Sequence, residues 1–184
     1  VKGKGRRFDT EHFVAACRAS LADSDVLRAL AATVADALQD REGLLEAFGS
    51  APTLRVTQLV ADEHLTVLHL GCPVGFAFPP HDHRMLSVVG VFAGIEDNIY
   101  YARQGECLVE VGRHRVRAGE VAAHSEDVIH AITNAGDEPL GAIHVYAGDF
   151  LHLERSEWSG EPLQEQPYDL TRIHRLIERS GPSK

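Results

Sequence analysis

Three histidines carry the first chemical signal in this chain. His81 and His83 flank a single aspartate, and on an extended strand residues two apart face the same side, about 6–7 Å from one another. Two imidazoles so placed can converge on one metal ion if a third ligand arrives from elsewhere. His124 and His130, six residues apart, are both able to supply it, and the pair alone does not choose between them. The bare pair says little, because eleven histidines in 184 residues produce about 0.6 such pairs by chance. A second signal is Ala142-Ile-His144-Val-Tyr146, in which an imidazole and a phenol share one strand face. A structural hydrogen-bonded pair and a catalytic pair read alike at that place.

The elements that must position these residues change type along the chain. Residues 11–22 put Phe13, Ala16, Cys17 and Leu21 on one helical face, and Leu27, Leu30, Ala31, Val34 and Leu38 repeat the pattern after Asp23-Ser24-Asp25. A short third helix over 44–48 ends at the breaker Gly49-Ser50-Ala51-Pro52. Short β-rich runs follow from 54 to 146, among them 54–60, 65–70, 76–78, 87–92, 95–101 and 141–146, separated by Gly, Asp, Asn and Pro turns. Residues 107–111 and 113–117 read as two strands of a hairpin. Residues 152–168 read as irregular, and a last helix starts near Asp169 with Ile173, Leu176 and Ile177 inward. One domain over 1–184 results: a flexible leader 1–9, helices 10–50, a β-barrel 52–150 and a closing segment 151–184.

Composition narrows the partners. Acidic residues outnumber basic ones by 27 to 18, for a net charge of −9, and the basic residues form a run only at 2–7. Nucleic-acid binding needs a concentrated basic face, so that class is excluded. Hydrophobic residues at 44% supply a core. No uninterrupted apolar stretch reaches membrane-spanning length and no signal peptide is evident, so neither spanning nor secretion is expected. Three cysteines without a CxxC pair suit a reducing, cytoplasmic setting. The expected assembly is a monomer or homodimer.

The surroundings of the histidines are more specific than the histidines themselves. Gly75, His81, His83, Ser87 and Gly94, then Gly119, His130 and Asn134, fall at the spacing of two motifs. In this the chain resembles the cupin superfamily. Ser87 stands where many cupins carry a glutamate ligand, and Ser125 and Asp127 replace a proline and a glycine. The resemblance implies a mainly β fold, a double-stranded β-helix (jelly-roll barrel) with N-terminal helices and a short C-terminal helix, and a metal in the barrel mouth. Within the cupins, a carboxylate-free set of three histidines together with His144 and Tyr146 is similar to the thiol dioxygenases, the cysteine and 3-mercaptopropionate dioxygenase group. That likeness implies Fe(II) held by His81, His83 and His130. It further implies that Tyr146, steered by His144, works beside a small thiol that O2 converts to a sulfinate.

Departures from that family mark where the likeness thins. Ala142 replaces the serine of its Ser-x-His-x-Tyr sequence, and Leu86-Ser87-Val88 offers no cysteine to crosslink the tyrosine. Thr57 occupies the place of an early-strand arginine that clamps a substrate carboxylate, with Arg55 two residues upstream on the same face; both are candidates for substrate contact. Ala-Gly-Asp-Phe after Tyr146 lacks the proline of many relatives. Two alternatives stay open: a three-histidine cupin dioxygenase cleaving carbon–carbon bonds in diketones or enols, and a non-enzymatic cupin binding a metal or small molecule. Phe76, Phe78, Val89 and Val91 are expected to line the barrel, His69 to pack or support the site, and Asp82 and Glu96 either to sit at the surface or to back the metal ligands. Arg84 and Arg103 are candidates for recognising a substrate charge, with solvated side chains the simpler expectation, and His12, His64, His114, His152 and His174 are expected at the surface.

Overall fold

Aspartates start the helices. In the computed structural model, which describes residues 7–49, 53–105 and 107–180, α1 (Thr10–Ser20) is capped by Asp9, whose carboxylate accepts from the His12 amide at 2.7 Å. Asp25 caps α2 (Val26–Ala37) through the Arg28 amide at 3.1 Å, and Asp40 caps α3 (Arg41–Phe48) through the Gly43 amide at 3.0 Å. Each cap satisfies an amide that lacks a partner in the first helical turn. Phe13, Cys17, Leu30, Val34, Leu44 and Phe48 form the buried face of this layer. The expected breaker at 50–52, most of the expected leader and the side chain of Leu176 lie outside the described residues.

The strands are β1 (Arg55–Ala61), β2 (Thr66–Cys72), β3 (Ala77–Asp82), β4 (Ser87–Ala93), β5 (Ile95–Gln104), β6 (Cys107–Arg117), β7 (Val121–His124), β8 (Ile129–Thr133), β9 (Leu140–Tyr146), β10 (Ser156–Ser159) and β11 (Gln164–Pro167). One sheet runs β1-β2-β9-β4-β7 and the other β11-β10-β3-β8-β5-β6, with every pair antiparallel. Counting from β2 to β9 as one to eight, the sheets read 1-8-3-6 and 2-7-4-5. That order is a jelly roll, so the chain is a double-stranded β-helix of the cupin type.

The five-stranded sheet lies between two cores, and β2, β4 and β9 are buried along their whole length. Leu68, Leu70, Val89, Val91 and Tyr146 pack inside the barrel. Val67, Val88, Phe92, Ile143 and Val145 face the helices, where they meet Leu30, Val34 and Phe48. Burial on both faces explains why these strands read as continuous apolar runs rather than as alternation. Gly90 in β4 is required by this contact, because a Cβ there would overlap the Val34 side chain.

Two expectations need correction. The pair of strands predicted at 107–117 is one strand, β6, paired along its length with β5. Tyr100 pairs with Gly112 and Tyr101 with Glu110, so Val111 is the extra residue of a bulge and no turn forms. The segment 152–168 is not wholly irregular, since β10 and β11 form a hairpin that joins β3 through Glu157 and His81. Its alternation is hidden because β11 is exposed throughout and β10 buries Ser156 and Glu157 beside Trp158. The final helix, α4 (Leu170–Ser180), starts where expected, with Ile173 buried. No helix among the described residues is long and apolar enough to cross a membrane.

Candidate metal centre

A β-bulge aims the first histidine. Phe78 pairs with Ile132 and His81 with His130, so Pro79 and Pro80 stand opposite the single residue Ala131. Without the extra residue, the parity of β3 would send His81 and Phe78 to opposite faces. With it, both point into the barrel, and His130 and Ile132 meet them from β8. The prolines suit the bulge because they have no amide to pair. His83 follows directly after β3, at the turn into β4.

The three side chains converge. His83 Nε2 lies 3.2 Å from His81 Nε2 and 3.0 Å from His130 Nε2, and all three rings are buried. Each Nδ1 faces an oxygen: the Pro79 carbonyl for His81 at 2.9 Å, Ser87 Oγ for His83 at 2.8 Å, and Asn98 Oδ1 for His130 at 2.7 Å. An Nδ1–H donated to each acceptor leaves Nε2 as a bare lone pair aimed at the common point. Burial lowers all three imidazole pKa values, that of His81 to about 4, and His81 and His130 reinforce the effect on His83. Neutral rings with clustered lone pairs are what a divalent cation needs. Nitrogen ligands about 2.1 Å from one ion and roughly 90–110° apart would be separated by about 3.0–3.4 Å, and the observed spacings match. Ser87 orients His83 rather than joining the cluster.

His124 backs this set. Its Nδ1 is 3.4 Å from Ser87 Oγ and its Nε2 3.0 Å from the Tyr100 hydroxyl. With both nitrogens engaged, it supports the residue that holds His83, and His130 takes the third position in the cluster.

The second signal in the sequence falls beside the first. The Tyr146 hydroxyl is 3.3 Å from His144 Nδ1, and its ring meets that of His83 edge-on at 5.2 Å. Burial pushes the Tyr146 phenol far above its usual range, so it stays protonated. Behind His144 lies Glu96, fully buried, whose Oε2 is 3.2 Å from His144 Nε2 and whose Oε1 accepts from Asn98 Nδ2 at 3.0 Å. Burial acts to raise the Glu96 pKa, but His144 and Asn98 outweigh it and hold the carboxyl below its ordinary value. Glu96 is therefore an ionised group inside the barrel, not at the surface.

His81, His83, His130, His144 and Tyr146 line an apolar cavity of about 40 Å³, walled further by Leu68, Phe78, Ile132, Phe150, Tyr168 and Ile173. Val56 of β1 also reaches it. Arg55 and Thr57 do not: Arg55 is exposed, and Thr57 pairs with His69 on the helix-facing side of the sheet. Strand alternation puts Val56 inward and its two neighbours outward, which corrects the expectation that one of them meets the substrate. Val89 and Val91 belong to the barrel core without lining the cavity.

Arg155, at the entrance to the β10–β11 hairpin, was hidden in the segment read as irregular. Its guanidinium lies between the rings of Phe150 and Tyr168, at 3.8 and 3.9 Å, and Nη1 donates to the Phe150 carbonyl at 2.6 Å. Nε and Nη2 are buried without a hydrogen-bond partner among the described residues. A buried arginine with free donors was traceable only through its charge in a polar stretch, which by itself is no signal. Asp82, Arg84 and Arg103 serve the hairpin instead. Asp82 accepts from the Ser156 amide at 2.7 Å and from Arg84 at 3.0 Å, and Arg103 holds Glu165. His12, His64, His114 and His152 are exposed as expected.

No family model matches the chain. Among solved structures it is similar to an RmlC-like cupin family protein from Methanocaldococcus jannaschii, at 21% identity over 54% of this chain and 84% of that one, with a TM-score of 0.46. It is also similar to a DMSP lyase from Ruegeria pomeroyi, at 18% identity over 55% and 50% of the two chains and a TM-score of 0.44. A cupin conserved barrel domain protein from Leptotrichia buccalis gives 20% identity, 52% and 41% coverage, and a TM-score of 0.43. The overlaps are partial, and the fold assignment rests on the strand order above. The protein is thus a double-stranded β-helix of the cupin type, with a buried three-histidine group able to hold a metal ion in its barrel.

Proposed function

We propose that the protein is a non-haem iron(II) dioxygenase of the thiol dioxygenase kind, oxidising a small thiol to a sulfinate with O2. The observation that carries this reading is the set of three neutral imidazoles, free of carboxylates, with the Tyr146 hydroxyl and its His144 partner beside them. His81, His83 and His130 would hold the ion. Held there by three neutral ligands, iron(II) would keep its full positive charge, favour a thiolate over a thiol and supply the redox chemistry of dioxygen.

The chain's own residues supply the rest. Leu68, Phe78 and Ile132 keep water from the reacting sulfur, and Tyr146 presents a hydroxyl for hydrogen bonding at the cavity wall. Arg155, with two free donor nitrogens between rings that line the cavity, favours a thiol that also carries an anionic group, such as a carboxylate. Free cysteines, of which Cys17 and Cys72 are buried with thiols pushed up to about 12, favour the cytoplasmic setting.

Anaerobic metal analysis of freshly purified protein, followed by oxygen uptake with thiols and with diketones, tests the reading. Iron-dependent uptake with thiols and none with diketones is expected. Zinc or nickel at full occupancy without iron-dependent turnover would overturn it, and uptake with diketones alone would move the protein to the carbon–carbon-cleaving class.

A further inference from the structure

Glu96 stands between two parts of the site that are otherwise separate. Through Oε1 it holds Asn98, whose own oxygen accepts from His130. Through Oε2 it faces His144 Nε2, at contact distance rather than in ideal hydrogen-bond alignment, and neither atom has a hydrogen-bond partner among the described residues. Ala142, two residues before His144 on the same strand face, has no polar atom to offer in its place. Each of the two atoms has only the other to answer its charge or proton.

We propose that Glu96 is a positioning residue that fixes the tautomer of His144, and thereby the direction of the Tyr146 hydroxyl proton, while bracing His130 through Asn98. A carboxylate only accepts, so the imidazole nitrogen facing it carries the proton. In the neutral ring Nδ1 of His144 is then bare and accepts the Tyr146 O–H. Tyr146 consequently meets an incoming ligand with an oxygen lone pair. One buried carboxylate sets both the polarity of the tyrosine and the anchor of a candidate metal ligand, in the way that outer partners of ligating histidines fix ring orientation. The importance of Tyr146 rests on the function proposed above, but the tautomer itself does not depend on any substrate.

The Glu96→Gln variant separates the two clients. Its single amide oxygen can keep Asn98, and its amide N–H then turns toward His144, which must move its proton to Nδ1. Two-bond nitrogen-15 spectra of the zinc(II)-loaded full chain, with the His144 signal identified by its loss in His144→Asn, read this directly. The wild type is expected to be protonated at Nε2 and Glu96→Gln at Nδ1. The same tautomer in both proteins would overturn the proposal. Zinc(II) affinity should be retained in Glu96→Gln and fall about 10–100-fold in Glu96→Ala, where Asn98 loses its brace; equal affinity in Glu96→Ala and wild type would overturn the link to His130. Absence of oxygen uptake with thiols would sink the dioxygenase reading and leave the tautomer result standing. An unchanged tautomer alongside thiol-driven uptake would sink this inference alone.

Discussion

His69 and His83 are both buried imidazoles in the same small barrel, and they differ in everything except burial. His83 has Ser87 on Nδ1 and two other histidines at its Nε2. His69, on the opposite face of the five-stranded sheet, has no hydrogen-bond partner at either nitrogen among the described residues. It lies stacked on Phe48 at 4.6 Å, with Phe92 at 5.8 Å. The barrel side spends polar groups to aim lone pairs at one point. The helix side treats an imidazole as a flat ring and carries two unsatisfied nitrogens, each of which costs about 1–3 kcal/mol. Burial and residue type therefore do not define a ligand; an anchored Nδ1 and a shared target for Nε2 do.

Removing members of each group gives the largest contrast. His130→Ala is expected to lower metal content from about one ion per chain to near none, whereas His69→Leu and His124→Ala keep it. Metal analysis after anaerobic loading decides the matter. Full occupancy in His130→Ala would erase the distinction and hand the third position to His124.

Unpartnered nitrogens also occur on the barrel side, on Arg155, and there they carry the opposite meaning. His69 is neutral and enclosed by apolar rings away from the cavity, while Arg155 holds a charge between Phe150 and Tyr168, two rings that line the cavity. For Arg155→Met we expect kcat/KM to fall about 100-fold with a carboxylate-bearing thiol and little with an uncharged one, the loss of one buried charge-assisted contact. An equal loss with both thiols would reduce Arg155 to packing. A smaller effect belongs to the anchors: Ser87→Ala should weaken metal binding about 10-fold, at the lower end for outer partners of a ligating histidine. Unchanged affinity would show that His83 is oriented by packing alone.

The sequence carried the histidine cluster better than the parity that delivers it. The spacing of His81, His83 and His130 was legible because the motif is local. Alternation from Phe78 alone, however, would send His81 outward, and only the pairing of Pro79 and Pro80 against Ala131 restores it. Glu96 was legible only as a surface or backing group with no choice between the two, and Asn98 not at all, for a related reason. Both face inward on β5, but Ile95 and Ile99 on the outward face give the strand the wrong apparent sidedness. Arg55 and Thr57 failed by the same one-residue phase, since Val56 holds the inward position. The β10–β11 hairpin, and Arg155 with it, lacked any apolar alternation to read. What pattern reasoning missed is long-range: a bulge, a polar interior and an exposed hairpin become visible only once strands are paired.

The comparison ends in a pH dependence. Burial holds the His69 pKa down at about 4, and the charge of Arg55 on β1 acts in the same direction, as does His144 on β9 whenever it carries a second proton; Phe48 of α3 and Phe92 of β4 bring no charge. An unfolded chain would bind a proton at this residue near pH 6.5. Above that value neither state is charged and His69 has no pH effect. As the pH falls, the unfolded state takes up a proton that the folded state refuses, so stability is lost progressively until about pH 4, below which both states are protonated. At pH 5 the loss amounts to about 2 kcal/mol. His69→Leu, which also removes the two unsatisfied nitrogens at similar volume, should therefore gain about 2 kcal/mol more over wild type at pH 5 than at pH 7. Urea unfolding of the zinc-loaded proteins at the two pH values measures this. The same substitution at His83 would strip the site of its metal, so a parallel pH response in the two variants would mean that the helix-facing imidazole is not the inert ring its surroundings make it.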